Sequence, residues 1–130
     1  MKHFYVICPV GADPSFMEKR AILKELAFAY KTEPFFPLDH RREFSIEDAT
    51  KEMKLADFVL ADLSLERPSC YFELGVAQAV GARVFLIAAA GTVIHQTGSQ
   101  CNLVLYSNLS QYRLEVSRIL AGPTPDTSDT

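Results

Sequence analysis

Asp57-Phe58-Val59-Leu60-Ala61-Asp62-Leu63-Ser64-Leu65-Glu66-Arg67-Pro68-Ser69-Cys70-Tyr71-Phe72-Glu73-Leu74-Gly75-Val76-Ala77-Gln78-Ala79-Val80-Gly81-Ala82-Arg83-Val84-Phe85-Leu86-Ile87-Ala88 is the stretch whose reading decides the fold. Its ends, Asp57–Ala61 and Arg83–Ala88, are short apolar runs that read as strands buried on both faces. The residues between them read as a helix, so the whole is a strand, a crossover helix and a parallel strand. One residue does not fit a packing role. Glu73 is the only charged residue between Ser69 and Ala82, and Tyr71, Phe72, Leu74, Val76, Ala77, Ala79 and Val80 surround it with apolar neighbours. A buried charge costs several kcal/mol unless it is paired, hydrogen-bonded or functional. A structural reading of Glu73 therefore needs a partner, such as Arg83, and the other reading gives it a chemical task.

Outward from this unit the same alternation continues in both directions, the pattern of a parallel α/β sheet. Phe4–Cys8 reads as a first strand, ended by Pro9-Val10-Gly11. A helix follows from Pro14 to Tyr30, with Phe16, Ile22, Leu23, Leu26 and Ala27 on one stripe. Glu33–Leu38 is a short second strand whose two prolines push it to the sheet edge. Ser45-Ile46-Glu47-Asp48 resembles a capping box that opens a helix ending near Leu55. Leu103–Tyr106 is a fifth strand, and Leu109–Leu120 a last amphipathic helix. The expected architecture is a three-layer α/β/α sandwich on a five-stranded parallel sheet of order 2-1-3-4-5, the flavodoxin- or Rossmann-like arrangement. One domain spans 1–121, and 122–130 reads as a disordered polar tail.

That strand order has a switch point between the first and third strands, and ligands bind outside the carboxyl ends there. It brings together Cys8-Pro9-Val10-Gly11, Asp62 with Ser64, and the helix carrying Glu73. Gly11 and Ser15 offer donors to an anion at the start of the first helix, although an ordinary strand-to-helix turn reads equally well. In the insertion Ser64–Ser69, Arg67 is either a partner for a phosphate or carboxylate or a solvated loop arginine, and Ser69 is a further substrate-binding candidate. His95 either reaches the crevice or is incidental, and the run Asp39-His40-Arg41-Arg42 after the edge strand either holds a base or phosphate or forms a charged face.

The chain has 130 residues, 48% hydrophobic and 22% charged, which is ordinary globular composition and enough to bury a core. A formal net charge of -3 and scattered basic residues argue against a nucleic-acid partner. Three cysteines, Cys8, Cys70 and Cys101, lack Cys-x-x-Cys spacing, which points to reduced, buried thiols in a cytoplasmic protein rather than a disulfide framework or a zinc site. No signal peptide starts the chain, and no apolar run reaches the roughly 18 residues of a membrane span.

Ala61-Asp62-Leu63-Ser64, Tyr71-Phe72-Glu73-Leu74-Gly75-Val76-Ala77 and Gly81-Ala82-Arg83-Val84-Phe85-Leu86-Ile87 together resemble the core of the nucleoside 2-deoxyribosyltransferase-like superfamily. The resemblance implies that Glu73 attacks the anomeric carbon of a nucleoside and forms a glycosyl-enzyme intermediate. It implies that Asp62 orients the sugar or protonates the leaving base. The switch point, rather than the resemblance, puts Cys8, Pro9, Val10, Gly11, Ser64, Arg67 and Ser69 around the substrate, since the first loop is not the usual glycine-rich loop of the transferases. No metal or cofactor is needed for such N-glycosidic chemistry, which follows two-carboxylate logic. The substrate is a small nucleoside or nucleotide, and a homodimer or homotetramer is expected, because family members commonly complete their sites with a neighbouring subunit. Related nucleotide N-hydrolases and TIR-like NAD-cleaving domains share the arrangement. An NAD-cleaving effector and a catalytically silent nucleotide sensor are the alternatives.

Overall fold

The computed structural model describes residues 1–95 and 103–122. Cys101 and residues 123–130 of the expected tail lie outside them. Five strands, β1 (Lys2–Ile7), β2 (Thr32–Phe35), β3 (Phe58–Asp62), β4 (Val84–Ala89) and β5 (Leu103–Tyr106), pair in parallel in the order β2-β1-β3-β4-β5. The helices are α1 (Phe16–Ala29), α2 (Ile46–Leu55), α3 (Pro68–Ala79) and α4 (Leu109–Ala121).

The period of two along β1 divides the core. Phe4 and Val6 face a layer with Leu23 and Leu26 of α1 and Val116 and Leu120 of α4. Tyr5 and Ile7 face the opposite layer, with Ala49 and Met53 of α2 and Cys70, Leu74 and Ala77 of α3. All five residues of β3 are buried, as a central parallel strand covered on both faces requires. Full burial of each large side chain contributes about 1.5–3 kcal/mol against chain entropy.

Three local differences from the sequence reading bear on the site. β2 stops at Phe35 rather than running to Leu38, and Pro37–Asp39 forms a 3-10 turn closed by Asp39 N–H donating to the Phe36 carbonyl at 3.0 Å. Pro37 has no N–H to extend the ladder, so the chain turns over the end of β1. α1 starts at Phe16 instead of Pro14, because the Asp13 carboxylate accepts from Ser15 N–H and Oγ–H and holds the preceding residues in a turn. Cys8 and Cys70 are free thiols, and Cys70 is buried, but Cys8 is only partly so.

Candidate active site

The carboxyl end of β1 opens onto two adjoining cavities that share Cys8, Val10, Pro37, Leu38 and Glu73. One, of about 340 Å³, is lined by Val6, Cys8, Val10, Phe16, Met17, Arg20, Phe36, Pro37, Leu38, Asp39 and Glu73. The other, of about 570 Å³, is lined by Cys8, Pro9, Val10, Gly11, Ala12, Pro37, Leu38, Phe44, Arg67, Ser69 and Glu73. Glu73 thus stands where a ligand spanning both would bend past it.

α3 delivers Glu73 from its second turn, while Cys70, Leu74 and Ala77 fasten the helix to the sheet. The entry to α3 is bent: Leu65 and Glu66 take left-handed backbone angles, with φ of 66° and 46°. Non-glycine residues there cost about 1–3 kcal/mol each unless the surroundings hold them. The Glu66 carboxylate is held by the Tyr71 hydroxyl, 3.0 Å away, and by His95 Nδ1. This bend sets Arg67 and Ser69 on the rim of the larger cavity.

Among the described residues Glu73 has no hydrogen bond or ion pair. Arg83, the structural partner considered from sequence, lies instead over the ring of Phe85, 4.9 Å from its centre. Burial raises the Glu73 carboxyl from its ordinary 4.5 to about 7, a shift that the charge of Arg41 partly opposes. Arg41 is itself committed to Glu52 by two hydrogen bonds of 2.7 Å. Near neutral pH, then, Glu73 exchanges between acid and carboxylate and is free to meet a ligand.

Asp62 is in different surroundings. It is 3% exposed and lines neither cavity. Its Oδ1 accepts from Ser64 N–H at 3.0 Å and Ser64 Oγ–H at 2.7 Å, and its Oδ2 from the Tyr106 hydroxyl at 2.8 Å and Lys19 Nζ at 3.4 Å. Lys19 also donates to Asp13 at 2.7 Å and to the Tyr106 hydroxyl at 2.6 Å. Burial opposes the charge on Lys19, but Asp62, Asp13 and Tyr106 outweigh it and raise its pKa. This cluster ties the loop after β1 to the ends of β3 and β5.

Of the residues singled out from sequence, Cys8, Pro9, Val10, Gly11, Arg67, Ser69 and Glu73 meet at the two cavities. Ser64 does not: it is buried, accepting from Ala89 N–H at 2.8 Å. His40 stacks on Phe35 with ring centres 4.6 Å apart, and His95 is held at Glu66, so neither lines these cavities. Sequence reasoning missed Phe16, Met17, Arg20, Phe36 and Phe44 as lining residues. Their spacing carries only a helix or strand signal. Burial keeps the Cys8 thiol protonated by raising its pKa, so it offers a neutral wall rather than a nucleophile. Among the described residues no cluster of three His, Cys, Asp or Glu is placed to hold a metal.

No family model matches the sequence, and no curated protein matches it. Solved structures do match in fold. A 2-deoxyribosyltransferase from Bacillus psychrosaccharolyticus superposes with a TM-score of 0.66 at 13% identity, over 88% of this chain and 90% of that one. The CMP N-glycosidase BcmB of Clostridium botulinum gives 0.63 at 16% identity, over 88% and 98%. A 2-deoxyribosyltransferase from Leishmania mexicana gives 0.54 at 23% identity, over 68% of this chain and 65% of its own. The chain therefore shares its α/β/α fold with these three proteins.

Proposed function

We propose that this protein cleaves or transfers the N-glycosidic bond of a nucleoside or nucleotide, with Glu73 as the nucleophile. One observation carries the reading: Glu73 is a desolvated carboxylate with no hydrogen-bond or ion-pair partner among the described residues, at the junction of two cavities. Carboxylates without a structural task, with shifted pKa values and in a cleft, mark functional sites. The ionised Glu73 attacks the anomeric carbon, a carbon–oxygen bond forms, and the carbon–nitrogen bond breaks with its electron pair leaving on the base. The base takes up a proton from solvent, and water or a second base then displaces Glu73. The fold it shares with deoxyribosyltransferases and an N-glycosidase supports this class of chemistry.

For Asp62 we propose a structural part in place of the sugar-orienting or proton-donating one that the resemblance implies. Its carboxylate is saturated by donors inside the protein, so it acts as a positioning residue that holds the loop after β1 through Lys19. Arg67 and Ser69 meet the sugar or its phosphate in the larger cavity. A homodimer or homotetramer belongs to the same reading.

The test is chromatography of products after incubation with deoxynucleosides, nucleoside monophosphates and NAD. Free base indicates hydrolysis and base exchange indicates transfer. Release of nicotinamide alone assigns an NAD-cleaving activity instead. Saturable binding with no product from any of them rejects the enzyme and leaves a sensor.

A further inference from the structure

Bond cleavage at Glu73 requires the base on one side of it and the sugar on the other. The two cavities differ in the chemistry that each offers. The smaller has the rings of Phe16 and Phe36 and, at its rim, Arg20 Nη2 donating to Asp39 Oδ2 at 2.7 Å. The Arg20 guanidinium lies over the Phe36 ring, 4.5 Å from its centre, which steadies the side chain. Neither partner is used up. Among the described residues Arg20 makes no other hydrogen bond, and Asp39 keeps Oδ1 free. A donor fork beside a carboxylate is the complement of a ring edge that carries an acceptor next to an N–H donor. Uracil and hypoxanthine present that edge as C=O beside N–H, and cytosine and adenine as ring nitrogen beside NH2. The larger cavity is also walled mainly by apolar groups, Pro9, Val10, Leu38 and Phe44 among them, but it alone adds Ser69 and Arg67, donors for hydroxyls and negative charge.

Resting on the glycosidic reading above, we propose that the smaller cavity is the base subsite and that Arg20 and Asp39 are the pair that determines its specificity. Asp39 only accepts hydrogen bonds. A base whose donor nitrogen is fully methylated leaves that carboxylate facing a methyl group and is rejected.

The experiment measures base release from UMP, CMP and AMP and from their N3-methyl, N4,N4-dimethyl and N6,N6-dimethyl counterparts, using wild type, Asp39→Ala and Arg20→Met. For whichever parent turns over, kcat/KM exceeds that of its methylated counterpart by about 10- to 100-fold, the usual effect of one unpaired polar group. Asp39→Ala brings the parent down to the methylated level, and Arg20→Met lowers it comparably. Both side chains reach the surface, so a circular dichroism spectrum like that of wild type is expected from each variant. Discrimination that survives Asp39→Ala overturns the assignment. If no substrate releases base, the glycosidic reading fails, and calorimetric binding of the same nucleotides decides the subsite independently. Discrimination lost in Asp39→Ala then supports it, and equal binding of parent and methylated forms by wild type, or none, overturns it.

Discussion

Glu73 holds its proton more tightly in the folded chain than an exposed glutamate does, and this affects stability as well as reactivity. A carboxyl with a pKa raised from 4.5 to about 7 lowers stability as pH rises between those values, because the native state must release a proton it favours. At about pH 8, Glu73→Gln should therefore be more stable than wild type by up to about 3 kcal/mol, a gain that shrinks towards about pH 5. Urea unfolding at both pH values measures it. Base release should vanish in the same variant. A loss of about 3–5 kcal/mol would mean instead that Glu73 is half of a buried ion pair. If the ionised form attacks, kcat/KM rises with pH through about 7, and a flat profile there would assign the attack to another group. The isolation of Glu73 among apolar neighbours was legible in the sequence. That Arg83 lies over Phe85 and away from Glu73 was not, since the strand period puts Arg83 and Phe85 on one face but does not say which face α3 covers.

Among the elements, the cluster around Lys19 joins α1, β3 and β5 through a single buried ammonium. Lys19→Met should cost about 3–5 kcal/mol, because Asp13 and Asp62 are left buried without their cation. The drop in denaturation midpoint checks this, and a change under about 1 kcal/mol would show that water reaches the cluster. The start of α2 is a milder case. Ser45 Oγ accepts from Asp48 N–H at 3.2 Å, so Ser45→Ala should cost about 1 kcal/mol by the same measurement. The elements themselves were largely readable, since hydrophobic period and caps are local properties. The end of β2 was not, because Phe36 reads as strand until Pro37 withdraws a donor and turns the chain.

For the whole molecule, the exposed side of α3 is uncharged: Phe72 is 51% exposed, and Gly75 and Ala79 also face outward. Exposed apolar surface such as Phe72 is what subunit contacts cover, and a dimer or tetramer should elute at micromolar concentration. Light scattering that gives a monomer mass would refute this. The sequence by itself determined the βαβ alternation, the order 2-1-3-4-5 and the meeting of Cys8, Gly11 and Glu73 at the switch point, because right-handed crossovers leave few other arrangements. Only the tertiary structure decided that Asp62 is closed in by Lys19 and Tyr106, and that Arg20 pairs with Asp39 at the rim of the smaller cavity. Lys19 and Tyr106 are 87 positions apart. Periodicity reports which face of an element is buried, whereas the partner that a polar side chain finds depends on how separate elements pack.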